Sequence, residues 1–191
     1  CPAPMLAAWL VNRALDGQKD CESLRAGIAA TSVVPAWSFG DQSGDAGASD
    51  LRIEGRRIEG RVDFVEDVVV ATHLFVVSGS QLAVIERAAT QPAVTPTPGL
   101  AVPPLARVEF AKGSATMVLD LGAEAIESLR EAARLALAAR ALGAAERPFE
   151  LLVDYVKVRH QFGQPIGRFQ AIQHKLADSR IRLRSEEHTS E

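Results

Sequence analysis

The apolar positions change period repeatedly along the chain, and each change marks an element. Met5, Leu6, Trp9, Leu10 and Ala14 share a helical spacing, which predicts a short helix over residues 5–15 with one buried stripe. The run from Gln18 to Cys21 breaks it, and residues 22–26 add one more turn before Gly27. From Ile28 the period shortens. Residues 28–34 read as a strand closed by Pro35, followed at 38–49 by a loop rich in Gly, Ser and Asp. Further strands are expected at 51–53, 58–65, 74–77 and 82–85, then at 106–110 and 116–119 after a proline-rich connection over 91–104. Short strands separated by turn signals indicate a small antiparallel β domain. Its Ile-Glu-Gly-Arg unit occurs twice, around Gly55 and Gly60, which reads as coincident hairpin chemistry and not as a repeat architecture.

Asp120-Leu121-Gly122 ends that domain, and residues 123–158 turn helical, with Ile126, Leu129, Ala133 and Ala136 or Leu137 recurring at helical intervals. Alanine is unusually dense there, and it is both the best helix former and small enough to let helices approach closely. Pro148 removes a backbone donor inside the pattern, so either a kink or two helices meeting near Glu146 is expected. The helix reaches Arg159, a stop falls at Gly163 with Pro165 just beyond, and Phe169, Ile172 and Leu176 mark a second helix. The expected whole is an α+β chain: helical residues at 1–27, a small antiparallel β domain at 28–120, and a helical region ending in a hairpin at 121–183. The polar run at 184–191 does not continue the helix stripe and reads as a non-native tail without structure.

With 191 residues and 47% apolar content the chain is long and hydrophobic enough for a sizeable core, which argues against disorder. A net charge of -3 gives no broad electrostatic reason to expect nucleic acid or an anionic membrane as partner. Any phosphate contact must then be local. No apolar run approaches the roughly 18 residues needed to span a bilayer, and no signal peptide is evident. Cys1 and Cys21 have no metal-ligand spacing and read as free thiols of a reducing cytoplasm. The first residue is not methionine, so it is not expected to be a natural start.

The elbow between the two helices holds the densest polar chemistry. Arg159 offers a planar fork of donors suited to phosphate oxygens, while Gln161 and Gln170 can donate and accept at a purine or ribose edge. The competing reading makes Arg159 a cap on the helix dipole and Phe162 a core residue. The order and spacing of residues 155–178 resemble the second signature of the acyl-CoA dehydrogenase family. An arginine (Arg159) precedes Phe162-Gly163, followed by Pro165-Ile166, Phe169-Gln170 and Leu176-Ala177-Asp178.

That resemblance makes residues 1–27 the end of an N-terminal helical domain, 28–120 the middle β domain and 121–183 the start of a C-terminal helical domain. It implies a hairpin there whose Arg159, Gln161, Phe162, Phe169 and Gln170 contact the FAD of a neighbouring subunit. It further implies a dimer or tetramer. Through the β domain the resemblance is looser. The aromatic residue that lies against the flavin in the family falls at Phe64, with Glu66 in place of a small hydroxyl residue; a buried strand Phe is the competing reading. The family's flavin loop has a Thr-Glu pair followed by Gly-Ser-Asp, an order that residues 38–50 lack; Thr31, Ser32 or Ser38 remain as hydroxyl donors beside the reading of ordinary strand and loop polars.

The implied reaction is α,β-dehydrogenation of an acyl-CoA thioester: a carboxylate removes the α-proton, the β-hydrogen leaves as hydride, and the electrons pass to an electron-transfer flavoprotein. In most of the family the base lies beyond residue 183. In members that carry it on the first C-terminal helix the position falls at Ala133, followed by Arg134; Glu131 is about half a turn off that face. No catalytic base is assigned. His73 and His174 read as surface or structural residues, and the stretch 40–47 as a surface loop with aspartates that would repel phosphate. The alternative expectation is a non-catalytic subunit whose elbow completes a partner's flavin site in a hetero-oligomer; a cofactor-free α+β interaction domain is a third. As a fragment the chain would be inactive, with apolar helix faces left bare.

Overall fold

A computed structural model describes residues 21–39, 51–99 and 104–188, with side chains through 185. The helix expected at 5–15 and most of the loop at 38–49 lie outside the described residues. The chain divides into two compact units, Cys1–Ala133 and Arg134–Glu191.

Among the described residues, the first unit opens with helix α1 (Glu22–Ala29). This corrects the strand expected at 28–34: Ile28 continues the helix and packs with Leu24 toward the same core. The helix ends where Thr31 takes a positive φ of 56°. Its last turn is closed by Ser32 Oγ and by the backbone of Val33, both donating to the carbonyl of Gly27. Pro35, expected to close a strand, instead opens β1 (Pro35–Phe39), where its missing N–H falls at the first residue of an edge.

With β1, the described residues of this unit form eight strands in two four-stranded sheets. One sheet orders β1, β4 (His73–Ser78), β5 (Gln81–Glu86) and β8 (Met117–Asp120). The other orders β2 (Arg52–Glu54), β3 (Arg57–Glu66), β7 (Leu105–Ser114) and β6 (Ala93–Pro96). Pairing is antiparallel throughout, as expected, except that β1 runs parallel to β4. Strand β6 was hidden in the proline-rich connection. It pairs on one side only, which is where a strand ending in Pro96 can be accommodated.

Strands β4 and β5 read as unbroken apolar runs because both of their faces are covered. Leu74, Val76, Ala83 and Ile85 meet Ile58, Val62, Val108 and Phe110 of the other sheet. Phe75, Val77, Leu82 and Val84 meet Leu24, Ile126 and Leu129 of the helices. Each large side chain buried this way contributes about 1.5–3 kcal/mol. The two Ile-Glu-Gly-Arg units differ structurally. Gly55, with φ 59°, turns the β2–β3 hairpin, whereas Gly60, with φ 120°, sits at a shift of the β3–β7 register.

Helix α2 (Arg87–Thr90) is a single turn. Helix α3 (Gly122–Val158) is continuous through Pro148, so the two-helix alternative is not taken. In the second unit α3 is followed by a miniature hairpin of β9 (His160–Gln161) and β10 (Gln164–Pro165), a 3-10 turn (Ile166–Arg168) and α4 (Gln170–His188). Helix α4 runs through His188, so the polar tail expected to lack structure is helical over residues 184–188. Within this unit Arg180 links the helices, its guanidinium 5.8 Å from the centre of the Phe149 ring and 3.7 Å from Glu146.

Candidate functional site

The elbow of the second unit is a tight turn imposed by two positive φ values, 51° at Phe162 and 79° at Gly163, the requirement of a type I′ hairpin. Gln161 pairs with Gln164 and His160 with Pro165. The N–H of Ile166 donates to the carbonyl of Arg159 at 2.8 Å, closing the loop onto the end of α3. Gly167 brings the 3-10 turn against that helix: a Cβ there would lie 3.0 Å from the Val156 carbonyl oxygen. Gln173 Nε2 then donates to the Gly167 carbonyl at 2.9 Å, tying the first turn of α4 to the elbow.

This scaffold holds its chemistry outward. Phe162 is 92% exposed, so it is not core. Glycine or asparagine commonly takes such a backbone conformation, and a phenylalanine there carries about 1–2 kcal/mol of strain. The ring is steadied on one side by Phe169, which it meets edge to face at 6.2 Å and 90°. Arg159, Gln161 and Gln170 are exposed, and none of their side chains has a hydrogen-bond or ion-pair partner among the described residues. Arg159 therefore does not cap the carbonyls of α3. All five residues expected on this element are brought to one elbow.

Phe64, the sixth expected contact, lies in the first unit. It is not a buried strand residue: it is 49% exposed, at a φ of 58°. The register shifts between Val62 and Val65 cause this, since Asp63 and Phe64 together oppose the stretch between Val108 and Ala106. Asp63 receives Arg107 Nε at 2.6 Å, and Arg61 Nε lies 3.3 Å from its other oxygen, at ion-pair distance without hydrogen-bond alignment. That hydrogen bond, and then the charge of Asp63, raise the Arg107 guanidinium above its ordinary pKa.

Of the three hydroxyls considered for a flavin, Thr31 and Ser32 are engaged at the end of α1, donating to Ala30 and Gly27 carbonyls at 2.7 and 3.2 Å. Ser38 is buried and has no side-chain partner among the described residues. His73 has partners that the one-dimensional pattern missed. Its Nδ1 is 2.9 Å from Thr72 Oγ1, and it faces Glu86 across the β4–β5 pair. Burial lowers its pKa from the ordinary value, against an opposing pull from Glu86. Cys21 is buried, its Sγ 3.6 Å from Met117 Sδ, while Cys1 is outside the described residues. Ala133, the helical position counted for a base, is buried in the core with Leu129 and Phe75.

The model of the acyl-CoA dehydrogenase C-terminal domain matches residues 120–190, which include the whole elbow. An acyl-CoA dehydrogenase, IpdE2, of Mycobacterium tuberculosis is 52% identical over 50 residues, covering 26% of this chain and 16% of that protein. The 3-sulfinopropanoyl-CoA desulfinase of Paraburkholderia xenovorans is 36% identical over 96 residues, 46% of this chain and 25% of that protein. Among solved structures, a variant of the Tcur3481-Tcur3483 steroid ACAD superposes with a TM-score of 0.75 at 27% identity, covering 94% of this chain and 51% of that one. Two more distant structures share the fold. A glutaryl-CoA dehydrogenase of Mycobacterium smegmatis in complex with FADH2 has a TM-score of 0.72 at 18% identity, over 93% of this chain and 50% of that one. The ChsE4-ChsE5 complex of Mycobacterium tuberculosis has 0.76 at 23%, over 94% and 51%. The chain thus spans about half the length of the solved proteins it matches and less of the curated relatives. The match to the C-terminal domain, the local identities and the shared fold converge on the acyl-CoA dehydrogenases: residues 120–190 are similar to their C-terminal domain, and the chain as described shares their fold.

Proposed function

We propose that this chain is part of an FAD-dependent acyl-CoA dehydrogenase that desaturates an acyl-CoA thioester between its α and β carbons and delivers the electrons to an electron-transfer flavoprotein. One observation carries the cofactor assignment: a strained, almost fully exposed Phe162 beside unpartnered Arg159, Gln161 and Gln170. Strain in an exposed aromatic, with polar groups left open around it, fits an element shaped for a ligand better than one shaped for stability. Arg159 would hold the pyrophosphate by charge-assisted hydrogen bonds, and the two glutamines the polar edges. Phe162, steadied by Phe169, would offer a ring face to the nucleotide. Phe64 would lie along the isoalloxazine, with Ser38 as a hydroxyl donor. When bound, FAD supplies the acceptor for the β-hydride. The elbow contacts are proposed to reach the cofactor of a second subunit in a dimer or tetramer.

A second reading is a subunit that completes a partner's flavin site without performing the reaction. It is favoured by Ala133, which places no carboxylate at the helical base position, and by Glu66 next to Phe64. The desulfinase among the relatives also shows that the family name alone does not set the reaction. No helix among the described residues is long and apolar enough to cross a membrane. We place the protein in the cytoplasm.

The readings separate on purification of the full gene product. Flavin absorbance that bleaches with acyl-CoA supports the dehydrogenase; a colourless protein that turns yellow only with the product of a neighbouring gene supports the partner subunit. In either assembly Arg159→Ala is expected to weaken FAD binding about 10- to 100-fold, the scale of a hydrogen bond to a charged group, while leaving the unfolding midpoint in place. Unchanged flavin content in that variant removes Arg159 from the site.

A further inference from the structure

The position of Phe64 needs an explanation that alternation along β3 does not supply. Val62 faces the core, so a regular strand would turn Asp63 out, Phe64 in and Val65 out. Instead Val62 and Val65 are both buried, and Phe64 is half exposed. The register makes the difference. Val62 opposes Val108 and Val65 opposes Ala106, so two residues, Asp63 and Phe64, stand against Arg107 alone. This is a two-to-one bulge, and its extra residue carries the positive φ. Phenylalanine does not favour that conformation, so something other than its own preference must hold it.

The residues of the bulge and the residue opposite it are joined. Asp63 and Arg107 form a 2.6 Å charge-assisted bond, and Asp63 remains only 13% exposed although it is ionic. Arg61, one turn of the pleat earlier on the same strand, approaches the second carboxylate oxygen at 3.3 Å. Straightening β3 would carry Asp63 out of register with Arg107 and break the bond. We infer that the Asp63–Arg107 pair is a latch across the bulge that positions Phe64 outward, making Asp63 and Arg107 positioning residues for the flavin contact. This rests on the proposed placement of Phe64 against the flavin.

The test uses the full gene product with Phe64→Trp, labelled with fluorotryptophan, so that fluorine NMR shows one resonance beyond those of the native tryptophans. Arg107→Ala is expected to shift that resonance and lower its solvent exposure. Arg57→Ala, which removes an exposed pair with Glu59 elsewhere on β3, leaves it in place. Arg107→Lys restores it in part. With Phe64 native, Arg107→Ala should raise the FAD Kd about two- to tenfold, the scale of one misplaced aromatic contact, and add nothing in a Phe64→Ala background.

A resonance that Arg107→Ala does not move overturns the latch. So does a full further loss of FAD affinity when Phe64 is already alanine, since Arg107 would then act by another route. A moved resonance with FAD affinity indifferent to Phe64→Ala upholds the latch and overturns the flavin assignment of Phe64, which keeps the two failures apart.

Discussion

The two units bury their apolar residues very differently. In the β unit nearly every large aliphatic side chain of the central strands is enclosed, and Phe75, Ile58, Leu82 and Ile85 are at 0% exposure. In the helical unit Ala136 and Val156, at 6% and 5% exposure, are the only buried apolar residues among the described ones. Leu135, Leu151, Tyr155 and Ile181 there are at least half exposed. A pair of sheets with helices on one outer face covers the helix-side sheet on both sides and the other sheet on its inner face, whereas a two-helix hairpin has only one seam. Several of its other apolar side chains stay exposed in this chain. The first unit is therefore organised for stability, and the second presents surface.

That contrast is sharpest in the response to truncation. Phe75→Ala, in the β unit, is expected to cost about 3–5 kcal/mol. Leu151→Ala, a residue 54% exposed on α3, should change stability by no more than about 0.5 kcal/mol in this chain. Denaturant titration of both variants checks the pair, and equal losses would erase the distinction.

Within the helical unit the exception is the elbow. Gly167→Ala would set a methyl 3.0 Å from the Val156 carbonyl oxygen and 3.3 Å from its Cγ2, against backbone that cannot rotate away. A loss of about 1–3 kcal/mol is expected, with the elbow displaced. Hydrogen exchange at Ile166, whose N–H donates to Arg159, would report the displacement. Protection as strong as in the parent would show that the contact yields without cost.

Phe162→Asn tests whether the elbow is built for a ligand. Asparagine tolerates positive φ, so relief of about 1 kcal/mol of strain offsets loss of an edge-to-face contact of similar size. Thermal stability should stay within about 0.5 kcal/mol of the parent while FAD affinity falls. A marked drop in melting temperature would mean that Phe162 serves the fold.

The smallest effect concerns His73. Burial depresses its pKa in the folded state, so between that value and the unfolded value of about 6.5 the unfolded chain binds more protons. Its contribution to stability is present above pH 6.5 and is lost as the pH falls toward and through the folded value. His73→Gln should flatten the decline of the melting temperature between about pH 7 and 5. A parallel decline in both proteins would exclude it.

Much of the site could be read from residue order because its elements are local. The elbow depends on neighbours within one stretch: a helix stop, Gly163 where φ must be positive, and Pro165 after it. The strands at 58–65, 74–77 and 82–85 were visible because β-branched runs between turn residues have few alternatives. Residues 28–34 misled because Ile28-Ala29-Ala30 suits either element, and contact of Ile28 with the α1 core settles it as helix. His73 showed no partner in one dimension because Thr72 and Glu86 are brought to it by the turn before β4 and by cross-strand pairing.

Residue order was sufficient for the elbow's composition and for the amphipathic character of the helices around it, since both follow from short-range spacing and from which side chains water rejects. It was not sufficient for the direction of Phe64 or for the outward pose of Phe162. Residue order left Phe64 open between a ring facing a flavin and a buried strand residue, and the bulge opposite Arg107 on another strand is what turns it out. Orientation at such points depends on register between segments far apart in the chain, where the energies of many contacts are compared at once and no single residue carries the decision.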